Sequence, residues 1–327
     1  MPPPDPSTPY DALRPETILE ALEQVGFEPT GGLLALNSYE NRVYQIELEN
    51  GEFVIAKFYR PERWSRAAIL EEHGFTAELL DAEISVVAPL QRDGTTLFDY
   101  GGFSFAIFSR QGGHPPNLEN LDDLEVLSRT IARMHVVGAR SKFAHRPDLN
   151  SQRLGHDSRS YLLDNHFIPA DVEAAYASTT EHLLTRIDAM LGATPHIRIH
   201  GDCHMGNVLW RVDTPHFVDF DDCVSGPPIQ DLWMLLSGDR PDQTSQLATI
   251  LDAYTTFFDF DVASLSSVEA LRTLRIMHHA AWIARRWHDP AFPTAFPWFD
   301  TPRYWSEHLL ELREQMALLD EPPLTYM

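Results

Sequence analysis

His200-Gly201-Asp202-Cys203-His204-Met205-Gly206-Asn207 is followed, twelve residues after its Asn, by the first Asp of Phe217-Val218-Asp219-Phe220-Asp221. An Asp, an Asn five residues on and a second Asp closing an apolar run are the parts needed to hold metal-bound ATP beside a hydroxyl. Transfer of a γ-phosphoryl group passes through a loose transition state, so the protein mainly positions reactants and neutralises charge. Asp202 suits the carboxylate that orients the incoming hydroxyl. The amide oxygen of Asn207 and the carboxylate of Asp219 suit Mg2+, which takes a few hard protein oxygens and completes its shell with water and phosphate. Residues 197–200, 208–210 and 217–220 are short apolar runs, which places these side chains on loops between short strands. A rival reading takes His200, Cys203 and His204 as zinc ligands, but it needs a further distant ligand and leaves Asp219 idle.

The elements that must position such a site lie upstream. Phe53-Val54-Ile55-Ala56-Lys57-Phe58-Tyr59, after the turn pair Asn50-Gly51, reads as the second strand of a hairpin. Alternation puts Phe53, Ile55 and Lys57 on one face, so Lys57 is the candidate for the α- and β-phosphates and Ile55 for the roof over the adenine. A helix over residues 65–80, capped by Ser65, carries an apolar stripe of Ile69, Leu70, His73, Ala77 and Leu80. Glu71 and Glu72 both qualify as the partner of Lys57, and Glu72 is preferred because the acid must flank the buried stripe. Between the first two strands, Asn37 and Ser38 are candidate phosphate contacts, with Asn41 and Arg42 as further possibilities. Glycine is absent from that turn.

The lobes divide at Gln111-Gly112-Gly113-His114-Pro115-Pro116, so residues 1–112 form an N-lobe and 113–327 a C-lobe, with the backbone of 108–110 at the adenine edge. Residues 15–25 form a short amphipathic helix and residues 1–9, with five prolines, are expected to be disordered. Leu121, Leu124, Leu127, Ile131 and Met134 mark a core helix ending at a structural His135. Asp231 is expected to brace the catalytic-loop backbone. Trp282, Trp287, Trp298 and Trp305 are expected to pack under a long loop.

With 327 residues, 43% of them hydrophobic and 22% charged, the chain is long enough for two lobes with separate cores. No stretch reaches the apolar length of a membrane span and the N-terminus lacks the pattern of a signal peptide, so a cytoplasmic location is expected. Cys203 and Cys223 form no disulfide framework; their place beside the motifs raises oxidation sensitivity as an alternative to two inert thiols. A formal charge of −23 argues against nucleic acid and, at long range, favours a cationic acceptor.

The chain resembles the bacterial stress-response Ser/Thr kinases of the aminoglycoside and choline phosphotransferase superfamily. The likeness rests on Leu36-Asn37-Ser38-Tyr39-Glu40-Asn41-Arg42-Val43-Tyr44, Ala56-Lys57-Phe58-Tyr59-Arg60-Pro61-Glu62-Arg63-Trp64, residues 200–210, residues 217–222, Gln230-Asp231-Leu232-Trp233-Met234 and Asp289-Pro290-Ala291-Phe292-Pro293. It implies an α+β, bilobal protein-kinase-like fold, with a small antiparallel N-lobe sheet and a larger, mainly helical C-lobe. It further implies Mg2+, ATP as co-substrate, protein Ser/Thr acceptors and a role in envelope or oxidative stress; a monomer is expected. Asp202 is carried over as proton acceptor, Asn207 and Asp219 as magnesium ligands and Ser38 as an ATP contact. His204 stands where Ser/Thr kinases usually place Lys, and residues 223–230 leave little room for a phosphorylated activation loop. Small-molecule kinases acting on aminoglycosides, choline or homoserine share these traits and remain the alternative.

Overall fold

The computed structural model describes residues 8–191 and 195–326; the proline-rich start falls mostly outside them. The chain separates into two compact units. The first comprises Met1–Pro116, Phe143–Arg146 and Met205–Cys223, and the second Asn117–Lys142, Pro147–His204 and Val224–Met327. A boundary at 112/113 was expected from the Gly/Pro cluster. The first unit instead runs four residues further and takes in two later segments, because hydrogen bonds hold those segments to it.

The first unit is built on a five-stranded antiparallel sheet in the order β1-β2-β3-β5-β4. Its strands are β1 (Pro29–Ala35), β2 (Arg42–Leu48), β3 (Phe53–Phe58), β4 (Phe98–Tyr100) and β5 (Phe103–Ser109). The β2–β3 connection uses Gly51 at φ +81°, a left-handed conformation that glycine adopts without steric cost, while the Asn50 side chain accepts from the Glu52 N–H. On one face Ile46, Val54, Ala56, Phe58, Phe105 and Ile107 pack on Ile18, Ala21 and Leu22 of α1 (Pro15–Gln24). Strict alternation therefore sends Ile55 and Lys57 to the other face, with Lys57 opposite Val43 of β2 and Ala106 of β5. There Ala106 joins Tyr59 and Ile69, the latter from α2 (Arg66–Asp81).

Helix α2 is N-capped by Ser65, whose Oγ accepts from the Ala68 N–H. Its buried face differs from the apolar stripe read in the sequence. Ile69, Glu72, His73, Phe75, Thr76 and Leu79 are buried, whereas Leu70 and Leu80 are exposed. Polar groups displace the leucines because each finds a partner inside. Tyr59 Oη lies 2.8 Å from His73 Nε2, and Thr96 Oγ1 lies 2.8 Å from His73 Nδ1.

The hairpin of β7 (Val208–Arg211) and β8 (Thr214–Phe217) is tied to the first unit at two points. Trp210 and His114 exchange backbone hydrogen bonds, and Phe217 does so with Ser85 and Val87. Glu71 anchors the other segment, accepting from the backbone N–H groups of Ala144, His145 and Arg146 at 2.6, 2.8 and 2.9 Å.

The second unit is mainly helical. Its helices are α3 (Leu121–Gly138), α4 (Asp157–Asp164), α5 (Ala170–Met190), α6 (Ile229–Trp233), α7 (Arg240–Tyr254), α8 (Val268–Arg285), α9 (Ala291–Ala295) and α10 (Pro302–Leu318). Leu183, Leu184, Ile187, Leu274, Met277, Ala281, Trp305 and Leu309 form the centre of its core. Trp282, Trp287 and the buried Trp305 interlock with Phe292, Phe296 and Phe299 as packing aromatics, while Trp298 stays exposed. The two-stranded ribbon of β6 (Ile197–Ile199) and β9 (Val224–Gly226) underlies the catalytic loop. No helix among the described residues is long and apolar enough to cross a membrane.

Gly138 closes α3 against β6 so tightly that an added Cβ would overlap the Arg198 carbonyl oxygen, backbone against backbone. Gly138→Ala is expected to destabilise the protein by about 3 kcal/mol, at the upper end for overpacking, read as a lowered urea midpoint without a change in m-value.

Candidate active site

In the first unit the site grows from the ammonium of Lys57, which is nearly inaccessible to water. Its Nζ lies 2.9 Å from Asp219 Oδ1, 3.4 Å from Asp221 Oδ1 and 3.8 Å from Glu72 Oε1. Burial pulls the Lys57 pKa down, but Asp219, Asp221 and Glu72 together reverse that and hold it well above the ordinary lysine value. Glu72 is thus the acid that reaches Lys57, whereas Glu71 is occupied by backbone. Glu72 also accepts from Arg146 Nη2 at 2.7 Å, and burial pushes its carboxyl up to about 7 against the pull of these cations.

Asp221, Arg63 and Arg146 were not singled out as site residues by their sequence positions, yet they complete the charge balance. Arg63 bonds Asp221 through Nη1 and Asp222 Oδ1 through Nη2, the latter at 2.6 Å. Arg146 donates to the carbonyls of Ala68 at 2.8 Å and Asp221 at 2.6 Å. Its guanidinium lies over the Trp64 ring, 4.5 Å from the centroid. Burial raises the Asp221 pKa, but Arg63, Lys57 and Arg146 outweigh it and hold the carboxyl well below the usual range. Asn41, a possible phosphate contact from its sequence, is instead buried: its Nδ2 donates to Asp221 Oδ2 at 3.1 Å and its Oδ1 accepts from the Arg60 N–H. Arg42 lies against Tyr10, 4.3 Å from the ring centroid, and donates to the Tyr39 carbonyl. Asn37 is exposed and Ser38 half-buried in the turn between β1 and β2. Ile55 is half-buried on the same strand face as Lys57.

Asp219 differs from its neighbours in being open: its side chain is 55% exposed. Its backbone has φ +58° and ψ +62°, left-handed, at the exit from β8. Asn207 ends the short turn Met205–Asn207, and its carbonyl accepts from the Val218 N–H at 3.0 Å, which fixes its backbone beside the residue preceding Asp219. A carboxylate with one oxygen on Lys57 and an amide carbonyl are the hard donors Mg2+ favours, and the donor set fits that ion with water and phosphates supplying the rest.

In the second unit the catalytic loop leaves β6 at His200. Asp231, fully buried at the start of α6, accepts from the His200 N–H and the Gly201 N–H, each at 2.8 Å. His135 Nε2 lies 3.1 Å from Asp231 Oδ2, and its Nδ1 lies 2.7 Å from Tyr254 Oη, so both residues hold the loop rather than touch a reactant. Asp202 is mostly buried. His204 Nε2 stands 3.4 Å from its Oδ2 and Arg275 Nη1 of α8 stands 2.5 Å from its Oδ1. Burial raises the Asp202 pKa, but His204 and Arg275 overcome it and keep the group ionised well below the usual carboxylate range. Among the described residues no three His, Cys, Asp or Glu side chains converge as a metal cluster, so the zinc reading of His200, Cys203 and His204 has no geometry behind it. Cys203 and Cys223 are both fully buried, and burial raises both thiols far above their ordinary value, which makes them poor targets for oxidation.

The profile of the phosphotransferase enzyme family matches residues 33–266, which take in all of the sheet but the start of β1, the loop after β6 and Asp219. The chain belongs to that family. It is 43% identical over 316 residues, 96% of both chains, to stress response kinase A of Escherichia coli K12. The same identity and coverage relate it to the serine/threonine protein kinase RdoA of Salmonella typhimurium LT2. Among solved structures it is similar to the amicoumacin kinase hAmiN in complex with AMP-PNP, Ca2+ and Ami, with TM-score 0.74 and 18% identity over 95% of this chain and 94% of that one. It is also similar to a microcompartment-associated aminopropanol kinase, with TM-score 0.72 and 19% identity over 94% and 99%. At such identities these two speak for the fold: α+β, bilobal and kinase-like, with an antiparallel N-lobe sheet.

Two predictions follow from the charge balance. Arg146→Ala leaves Glu72 short of a partner in a dry site and is expected to destabilise the protein by about 3–5 kcal/mol, measured by chemical denaturation. Because the folded-state pKa of Asp202 is depressed, its contribution to stability is present above the ordinary aspartate range and lost as pH falls below about 4. Asp202→Asn should therefore flatten the acid side of a stability-versus-pH curve, and an unchanged curve would disprove the pairing with Arg275 and His204.

Proposed function

We propose that this phosphotransferase moves the γ-phosphoryl group of ATP, with Mg2+, to Ser or Thr hydroxyls of protein substrates in a stress response. The observation that carries the reading is Lys57 Nζ at 2.9 Å from Asp219 with Glu72 on its other side. The reading is supported because a cation suited to the α- and β-phosphates and a carboxylate suited to their metal lie side by side. In this reading Asn37 and Ser38 donate to phosphate oxygens, Ile55 covers the adenine, and Asn207 and Asp219 hold Mg2+, which when bound neutralises charge on the phosphates. Asp202 aligns the acceptor hydroxyl and takes its proton late, as befits a weak base in a dissociative reaction. A protein acceptor is supported by the kinship with the Salmonella serine/threonine protein kinase along nearly the full length of both chains. ATP as donor and two buried, unpaired thiols suit a cytoplasmic enzyme.

The test is transfer of labelled γ-phosphate from ATP to a cell lysate, a generic protein substrate and a panel of amino alcohols. Label on protein Ser/Thr is the expected result, whereas label confined to an amino alcohol would replace the acceptor and keep the chemistry. Asp202→Ala is expected to lower kcat by about 10²–10⁴ with nucleotide affinity little changed. Lys57→Ala should weaken nucleotide binding, measured by calorimetry. Full activity in either variant would remove the assigned roles.

A further inference from the structure

The ion pair between Asp202 and Arg275 has no counterpart in the loop motif itself. Arg275 lies some seventy residues further along the chain, on the exposed side of α8, with its side chain 43% exposed. One nitrogen, Nη1, reaches Asp202; the other guanidinium N–H groups have no protein partner among the described residues. His204 flanks the other Asp202 oxygen, and His279, one turn beyond Arg275 on α8, is exposed on the same side. Of the acids on these helices, Glu269 pairs with Arg272 at 3.2 Å, while Glu311 of α10, half exposed and 3.9 Å from His308, acts on His279. Burial and the Arg275 charge hold the His279 pKa below its ordinary value, so the charge on offer around the group that would align the acceptor is that of the Arg275 guanidinium, against a whole-chain charge of −23.

We propose that Arg275 selects the acceptor, favouring a hydroxyl that carries a carboxylate or phosphate close by and rejecting one with an adjacent cation. The inference rests on Asp202 being the group that aligns the hydroxyl. A hydroxyl bonded to that carboxylate comes within about 3 Å of it. A charge two or three bonds further along the acceptor then lies within about 6 Å of the guanidinium, where the sign of their interaction matters more than the diffuse field of the molecule. A planar guanidinium with unoccupied donors matches a carboxylate or phosphate in a two-pronged bond, as an ammonium would not. For a protein acceptor this means Ser or Thr flanked by Asp, Glu or an already phosphorylated residue. The acidic surface elsewhere then serves solubility rather than acceptor choice.

The test compares kcat/KM for three sets of matched Ser peptides, flanked by Asp/Glu, by phosphoserine or by Lys/Arg, with the wild-type enzyme and with Arg275→Ala, Arg275→Lys and Arg275→Glu. The wild type should favour one or both anionic sets over the basic set by about tenfold or more, and the two anionic arms distinguish their sources. Arg275→Ala should erase the preference chiefly through KM, Arg275→Lys should keep part of it, and Arg275→Glu should invert it. A wild-type preference for Lys/Arg, or a ratio unchanged in Arg275→Ala, would overturn the proposal. If peptides take no label, hydroxypropionate and aminopropanol serve as the acid and amine pair. Label on either refutes the protein acceptor, and the ratio between them, with its change in Arg275→Ala, still decides the role of Arg275. No label on any acceptor would sink the phosphotransfer reading and this inference together.

Discussion

An ammonium sealed away from water is the constraint that organises the first unit. Lys57 cannot stay charged on β3 unless carboxylates reach it, and isolated charges in a low-dielectric interior cost several kcal/mol each after relaxation. Glu72 arrives on α2, and Asp219 and Asp221 arrive on the segment after β8. Those acids in turn require Arg63 and Arg146. The later segments 143–146 and 205–223 therefore belong with the sheet by charge as well as by backbone hydrogen bonds. Around Lys57, Arg60, Arg63 and Arg146 stand five carboxylates, Glu40, Glu72, Asp219, Asp221 and Asp222, so with Glu72 ionised negative charge is left over. It resides where water can reach it, on Asp219 and Asp222, and this is where a divalent cation would meet the least resistance.

The second unit solves a different problem, that of holding a loop rigid without filling the space a substrate needs. Asp231 does so from below, taking two consecutive backbone N–H groups with its two oxygens, and His135 with Tyr254 fixes the Asp in turn. Asp202 can then be oriented by charge alone, from His204 within the loop and Arg275 outside it.

Much of this was legible in the sequence, because local patterns carry it. Alternation along 53–59 placed Lys57 on the face away from the α1 core, Ser65 marked the start of α2, and the short apolar runs bracketed the catalytic loop. The buried face of α2 departs from the apolar stripe because periodicity weighs side chains by hydrophobicity, whereas Glu72 is buried through its bond to Arg146 outside the helix and Thr76 through a bond to the His73 carbonyl within it. Arg63 lies in a tract that marks the resemblance, but nothing local says that its partner stands 158 positions on. Arg146 and Arg275 have no sequence signal at all, since a single Arg in a loop or on an exposed helix face is commonplace. Asp221 did carry one: a carboxylate two residues after Asp219, between Phe220 and Asp222 and ahead of the apolar Cys223-Val224, had to be either exposed or paired.

The left-handed backbone of Asp219 narrows the set of side chains the position can hold. Beyond glycine, Asp and Asn are the residues that adopt such angles most readily, whereas a β-branched side chain there would strain the exit from β8. The chain's chirality thus guards the position proposed to hold the metal independently of its chemistry. Asparagine keeps the fold of the turn while deleting one charge, so it separates electrostatic loss from conformational loss, a distinction that alanine or valine at the same place would blur.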